Sequence, residues 1–392
     1  MNVRNWLRLR EKSGVMMARR IEACHIVPRS FVSTMLLCAL LSSGCSSLGP
    51  GRVQSDRFDY SDAIARSAKE QMLANIVRMR YVEFPTFLSV SSVITSYTYE
   101  GAVGVAGTAG FPGADTVGGS ANLRFSERPT ITYTPLAGQG FIRRLVNPIS
   151  AEGIFGLAHA GWAADLLMLS GIHRMNDIEN MTFASVPPPG IVDFERQEAR
   201  EIEKLREFHR LMDLILSLTD KGVIEVQATT EKKGLPSLVF VEDVAAADRP
   251  LVEELRAMLE LDPEFRAFRF TTRLQGRARD EITIQTRSLM SIMGFVAKGV
   301  ELPPAHVEAG WAREFPAQYW EGPRPAVPLR VRSQADPPLD AFVAVRYLDA
   351  WFYIDRADLD SKRMFAMLLG LFELQAPASS GAAPLLALPT GG

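Results

Sequence analysis

Two runs of strict alternation, residues 96–105 and 117–126, constrain this chain more than anything else in it. In the first, Tyr97, Tyr99, Gly101, Val103 and Val105 fall on one face, with Ser96, Thr98, Glu100, Ala102 and Gly104 on the other. In the second, Val117, Gly119, Ala121, Leu123 and Phe125 oppose Gly118, Ser120, Asn122, Arg124 and Ser126. A period of two belongs to strands, because successive side chains leave opposite faces. Between the runs lies a turn-rich segment with Gly110, Pro112, Gly113 and Asp115. The pattern predicts a long β-hairpin over 95–126. Pro129 is expected to interrupt it, with Ile131 and Tyr133 adding a short strand. Each half is long enough to cross a bilayer as a strand, which takes about 9–11 residues. A lone hairpin cannot do so, because its edges would leave backbone groups unpaired in lipid. A ring of subunits, each donating one hairpin, could close a barrel. The plainer alternative is a flexible hairpin outside the membrane, or one packed on its own domain, and the many glycines weaken a free-standing pair. Tyr97, Tyr99, Val103, Val105, Leu123 and Phe125 are thus candidate membrane or oligomer contacts.

The N-terminus has a different logic. Arg19, Arg20 and Arg29 precede an apolar run, Phe31 to Leu41. A membrane-spanning helix needs roughly 20 apolar residues, so this shorter run reads as a signal-peptide core. Ser42, Ser43 and Gly44 then lead into Cys45. The segment resembles the lipobox of bacterial lipoproteins, with Leu41 one place ahead of the slot that Ser42 occupies. That resemblance implies a signal peptide over 1–44, cleavage before Cys45, and lipid on its sulfur. Ser46 and Ser47 follow, with no aspartate, which within the same class implies the outer membrane. The basic region is long for a signal peptide, so Met16 or Met17 is an alternative start.

Charge and cysteine count follow from that cut. The chain carries −2 overall, but residues 1–44 hold seven Lys/Arg against Glu11 and Glu22, which leaves −7 for the remainder. A mildly acidic chain without a basic block is a poor nucleic-acid binder. The three cysteines are Cys24, Cys38 and Cys45. The mature part keeps Cys45 alone, so neither a disulfide nor a cysteine metal cluster can form within it.

Residues 45–60 read as a lipidated tether. A helix is expected from a cap at Ser61 or Asp62 to about Tyr81, with Ile64, Ala68, Met72, Ile76 and Met79 at helical spacing and Asn75 buried and hydrogen-bonded. Residues 138–146 and 150–171 read as helices, the second largely buried. The proline run 187–189 with Gly190 suggests a boundary between a helical domain with the hairpin, 61–186, and an α+β domain, 191–375. Residues 192–219 should be helical and stop at Lys221 and Gly222. Three strand-strand-helix units follow: 223–228, 237–242 and 249–260; 266–273, 281–286 and 288–298; 328–332, 341–354 and 360–374. Helices segregated from hairpins give an α+β fold. The proline-rich stretch 302–327 should wrap as an ordered loop. Residues 376–392 form a small-residue tail in which Leu385, Leu386 and Leu388 could dock.

Catalytic motifs are missing. The chain has no G-x-S-x-G, H-E-x-x-H or phosphate-loop pattern. His159, His173, His209 and His306 stand far apart in sequence, and His209 is expected to be half-buried and satisfied rather than a ligand. Asp355, Asp358 and Asp360 could do acid/base work or hold a hard cation, which Lys362 and Arg363 nearby would oppose, but Asp358 or Asp360 as a helix cap is the plainer reading. Trp351 and Tyr353 mark a candidate interaction surface. No cofactor and no metal is expected. The sequence therefore points to a structural or interaction role at the envelope, with the membrane, other envelope proteins or further copies as partners. An oligomeric outer-membrane assembly or export channel is one form of that role. The alternatives are a monomeric, periplasm-facing binding lipoprotein and, last, a hydrolase.

Overall fold

A computed structural model describes residues 50–108, 116–180, 194–227, 235–273, 275–314 and 327–375. Cys45, the run 31–41, the turn 109–115, the proline run 187–190 and the tail 376–392 lie outside them. Two compact units divide the chain, Met1–Asp62 and Ala63–Gly392. The described part of the first is the start of helix α1 (Pro50–Arg80). That helix begins eleven residues before Ser61, so the expected tether over 45–60 gives way to helix from Pro50. Proline is a favoured first helical residue, since its missing N–H would be unsatisfied there in any case.

The second unit opens with the rest of α1 and the paired strands β1 (Phe87–Thr108) and β2 (Thr116–Leu136). Short helices α2 (Gln139–Val146), α3 (Ala151–His159) and α4 (Ala164–Gly171) follow, then β3 (Ile172–Met175) and β4 (Ile178–Glu179). The long helix α5 is Phe194–Asp220. After it come β5 (Ile224–Gln227), β6 (Ser237–Phe240), α6 (Arg249–Met258), β7 (Ala267–Thr271), β8 (Glu281–Thr286), α7 (Leu289–Ala297) and α8 (Pro304–Glu308). The described part closes with β9 (Arg332–Gln334), β10 (Ala341–Tyr347), β11 (Ala350–Asp355) and α9 (Leu359–Gln375). Helices and mixed sheets make this an α+β fold.

The expected single helix over 150–171 is two. Gly161 takes a left-handed φ of 89°. The Trp162 N–H reaches back to the Leu157 carbonyl and the Gly161 N–H to that of Ala158, which closes α3 in a Schellman turn. Gly222 (φ 67°) closes α5 in the same way, where the sequence placed its end.

The boundary at 187–190 is also corrected. One six-stranded sheet runs β4-β3-β8-β7-β6-β5, so strands from both sides of the proline run share a ladder. The chain crosses repeatedly between two cores. One gathers α1, α2, α4, α7, β10, β11 and α9 around Leu73, Phe295, Phe352 and Phe365. The other packs α5 and α6 on the six-stranded sheet around Phe208, Leu255 and Phe268. Within the repeated units, β7 and β8 pair parallel rather than as a hairpin, and β9 pairs with β11. The expected strand 341–354 is the hairpin β10–β11, turning at Leu348, which is left-handed at φ 53°.

Candidate functional site

The arm formed by β1 and β2 is the feature with the clearest functional content. Its ladder is continuous from Phe87 opposite Leu136 to Thr108 opposite Thr116, with one irregularity between Val90 and Ser92. It is therefore longer than the sequence pattern suggested, and Pro129 does not break it. At ~3.3 Å per residue, about 21 residues reach ~70 Å. The two strands form a sheet of their own.

The arm's root is clamped from α1. Gln71 and Asn75 sit one turn apart, so they share a helix face. The Asn75 side chain donates to the Thr86 carbonyl (2.7 Å) and accepts from the Thr86 N–H (2.9 Å). The Gln71 side chain donates to the Leu88 carbonyl (3.0 Å) and accepts from the Leu88 N–H (2.6 Å). Two amides thus make the bonds that a neighbouring strand would make to the β1 edge. Between them Phe87 turns inward and stacks on Phe372 at 4.4 Å, with Phe141 edge-on at 6.0 Å.

Backbone parity follows from the clamp. Leu88 points its N–H and C=O at Gln71, away from β2. Leu88 pairs with Pro135, and steps of two along β2 reach Pro129. The Pro129 nitrogen therefore lies on the outer edge, where a missing N–H costs no bond to β1.

The irregularity at Ser91 decides which way the arm's faces turn. An extra residue in one strand exchanges that strand's two faces. Below it, Phe87 and Leu136 share the face that meets the core, while Leu88, Val90 and Tyr133 share the other. Leu88 and Tyr133 are 51% and 55% exposed. Beyond it, positions 93, 97, 99, 103 and 105 continue the Leu88–Tyr133 face, opposite positions 131, 127, 125, 121 and 119. By register alone, the candidate positions Tyr97, Tyr99, Val103, Val105, Leu123 and Phe125 all fall in the row that begins with Leu88 and Tyr133, not in the row of Phe87 and Leu136.

A second polar cluster holds the turn from α1 into the arm. Val82 is left-handed at φ 65°, a conformation that β-branched residues rarely adopt. The residues on either side of it are both held. The Tyr81 hydroxyl meets His306 Nδ1 at 2.5 Å, and His306 Nε2 meets Asp349 at 2.6 Å. The Tyr347 hydroxyl donates to Glu83 at 2.5 Å. Burial pushes the Tyr81 phenol up to about 12, against Arg80, which lowers it, and with Asp349, which raises it. A phenol that keeps its proton donates to Nδ1, which leaves the Nε2 proton for Asp349. His306 is 1% exposed and both its nitrogens are engaged. It presents neither to a substrate or a metal.

The remaining sequence candidates are separate. Trp351 and Tyr353 stand half-buried on the central strand of the three-stranded sheet β10-β11-β9, opposite Arg346 and Arg332, while Phe352 and Ile354, which alternate with them, enter the core. Asp358 caps α9, accepting from the Ser361 N–H at 2.9 Å and from its hydroxyl at 2.7 Å. Asp355 accepts from the Ala357 N–H. Asn75 is fully buried, as expected. His209 lines a 190 Å³ cavity between α4, α5 and α9 with Leu166, Leu169, Met212, Leu216 and Arg363. That is below the ~300 Å³ where small-molecule sites begin. Among the described residues no His/Cys/Asp/Glu group of three or more could hold a metal, and no helix is long and apolar enough to cross a membrane.

The sequence reading missed Gln71, Tyr81, His306 and Asp349 as a set. Gln71 and Asn75 at i and i+4 were a visible signal, since two amides on one helix face need partners. Nothing local marks His306, whose partners lie 225 and 43 residues away. No described protein family, curated protein or solved structure matches the chain.

Proposed function

We propose that this chain is a lipid-anchored envelope protein that works by association, as a subunit of an oligomeric outer-membrane assembly held at Cys45 and joined to its neighbours through the β1–β2 arm. The observation that carries the reading is the arm itself, a long two-stranded sheet that no third strand joins among the described residues and whose root leaves Leu88, Ile131 and Tyr133 exposed. Apolar side chains left exposed at such a root suit lipid, a partner or both. Two open strand edges beside it are a ready template for further strands. A ring of such arms forms a closed barrel, which is how strands cross a bilayer, and an export channel is one form of it. The mildly acidic mature part and the absence of catalytic motifs agree with an interaction role without a cofactor.

A monomeric, periplasm-facing binding lipoprotein is the second reading. It is favoured by Trp351 and Tyr353 on the outward face of the three-stranded sheet, flanked by arginines. One measurement separates the two. The lipidated protein, extracted in mild detergent, is weighed by light scattering behind a sizing column. A discrete oligomer that disappears on deleting 97–125, with the rest still folded, supports the assembly. A clean monomer refutes it and transfers the search to Trp351→Ala and Tyr353→Ala in partner capture.

A further inference from the structure

We infer that the partner of the arm's distal edges is a second copy of this chain, with the β1 edge of one copy pairing antiparallel with the β2 edge of the next. The inference rests on the proposed self-association and adds which edges meet.

Both edges are closed near the root and open beyond it. Gln71 occupies the outward groups of Leu88 in β1, and Asn75 those of Thr86 just before it. Pro129 withholds an N–H from the outer edge of β2. Proline and covering side chains are the usual guards against stray strand pairing. Past these guards, from 93 to 108 and from 116 to 127, no third strand pairs with either edge among the described residues. A two-stranded ribbon is marginal alone in water, and a third strand is what stabilises one.

Charge selects which edges meet. Glu100 is the single charged residue of β1, whereas β2 carries Arg124, Glu127 and Arg128. Glu100 lies directly opposite Arg124, so Glu100, Arg124 and Arg128 share the polar face. Arg124 and Arg128 are exposed. A neighbour's β2 laid on the β1 edge places Glu100 between two arginine-bearing strands. Pairing β2 on β2 brings arginines together, and β1 on β1 leaves glutamate beside glutamate; like charges across strands destabilise. The favoured contact is therefore heterologous, with different edges meeting. An open row of copies keeps one open edge at each end until a ring closes, and closure abolishes edges altogether.

The test uses the full lipidated chain in mild detergent, with light scattering as the readout. Position 103 has its N–H on the outer edge by the same parity that places Pro129 there. Val103→Pro removes that donor while leaving the bonds to β2 in place, and should cut the oligomer fraction at least tenfold. Glu100→Arg should do the same. A chain carrying Arg124→Glu and Arg128→Glu should also fail alone. Mixed before assembly with the Glu100→Arg chain, it should restore a discrete oligomer in which the two chains alternate, because opposite charges meet at every junction between unlike copies. Amide exchange of residues 87–96 confirms that the arm still forms in each variant. If deletion of 97–125 abolishes the oligomer while Val103→Pro and Glu100→Arg leave its mass unchanged, the edge pairing is wrong and arm-mediated association stands. An oligomer that survives the deletion overturns both.

Discussion

Replacing Asn75 by alanine tests whether the arm's root is held by amides on a helix rather than by apolar packing alone. The Asn75 side chain makes two bonds to Thr86, at 2.7 and 2.9 Å, from a fully buried position. Each is worth about 1 kcal/mol net, and leaving the Thr86 N–H and C=O unpaired adds ~1 kcal/mol or more. Asn75→Ala should therefore lose ~3 kcal/mol. Gln71 makes the same pair of bonds to Leu88 at an exposed site, where water replaces the lost amide. Gln71→Ala should lose only ~1 kcal/mol. Asn75→Asp keeps an acceptor for the Thr86 N–H but sets a carboxylate oxygen against the Thr86 carbonyl, so it should lose at least as much as alanine. Urea unfolding gives the three stabilities, and amide exchange at Thr86 and Leu88 localises the loss. Equal losses from Asn75→Ala and Gln71→Ala, or an Asn75→Asp protein as stable as the wild type, would refute the clamp as the structural basis.

Two further predictions concern close approach and pH. A Cβ at Gly370 would lie 2.0 Å from the Trp162 ring, and one at Gly299 would lie 1.7 Å from the Leu329 carbonyl oxygen. Gly370→Ala should cost ~1–3 kcal/mol, the usual range for overpacking, and Trp162→Phe should recover part of it in the double variant. Gly299→Ala meets backbone that cannot turn aside, so thermal unfolding should show the larger loss there. The Tyr81 phenol is raised from 10.0 to about 12, so the folded state holds its proton more tightly than the unfolded chain does. Its stabilising contribution is complete below pH 10 and is lost as pH rises towards 12. Urea unfolding across that range should show a steeper decline in the wild type than in Tyr81→Phe, and parallel slopes would contradict the assignment.

How much was legible follows from where each signal lies. The strand-strand-helix succession from 223 to 375 could be read because most of its elements are periodic and begin beside Gly, Pro, Asp or Ser. Asp358 as a cap and Asn75 as a buried amide were legible for a similar reason, since their partners lie 3 and 11 residues away. The arm's period of two was visible, but its full extent was not. Pro129 reads as a break unless the open side of the ladder is known, and that depends on Gln71 taking the Leu88 edge. The boundary at 187–190 misled because a proline run marks a local stop, whereas β3 pairs with β8 across more than a hundred residues. Pairing of that range leaves no trace in composition.

The clamp at the root also bears on mechanical accuracy. An arm of ~70 Å is a lever, and one degree of play at its base moves the far end by about 1.2 Å. Four degrees would carry the far end across ~4.8 Å, the spacing between neighbouring strands, which in the proposed assembly is one whole strand position. The pivot is fixed by two bidentate amides, a stacked Phe87–Phe372 pair and a left-handed Val82 gripped on both sides. Together they make the aim of the arm a property of the folded body rather than of the arm itself. In the proposed assembly, a base that does not swing sets where the edges of the arm can meet a neighbour.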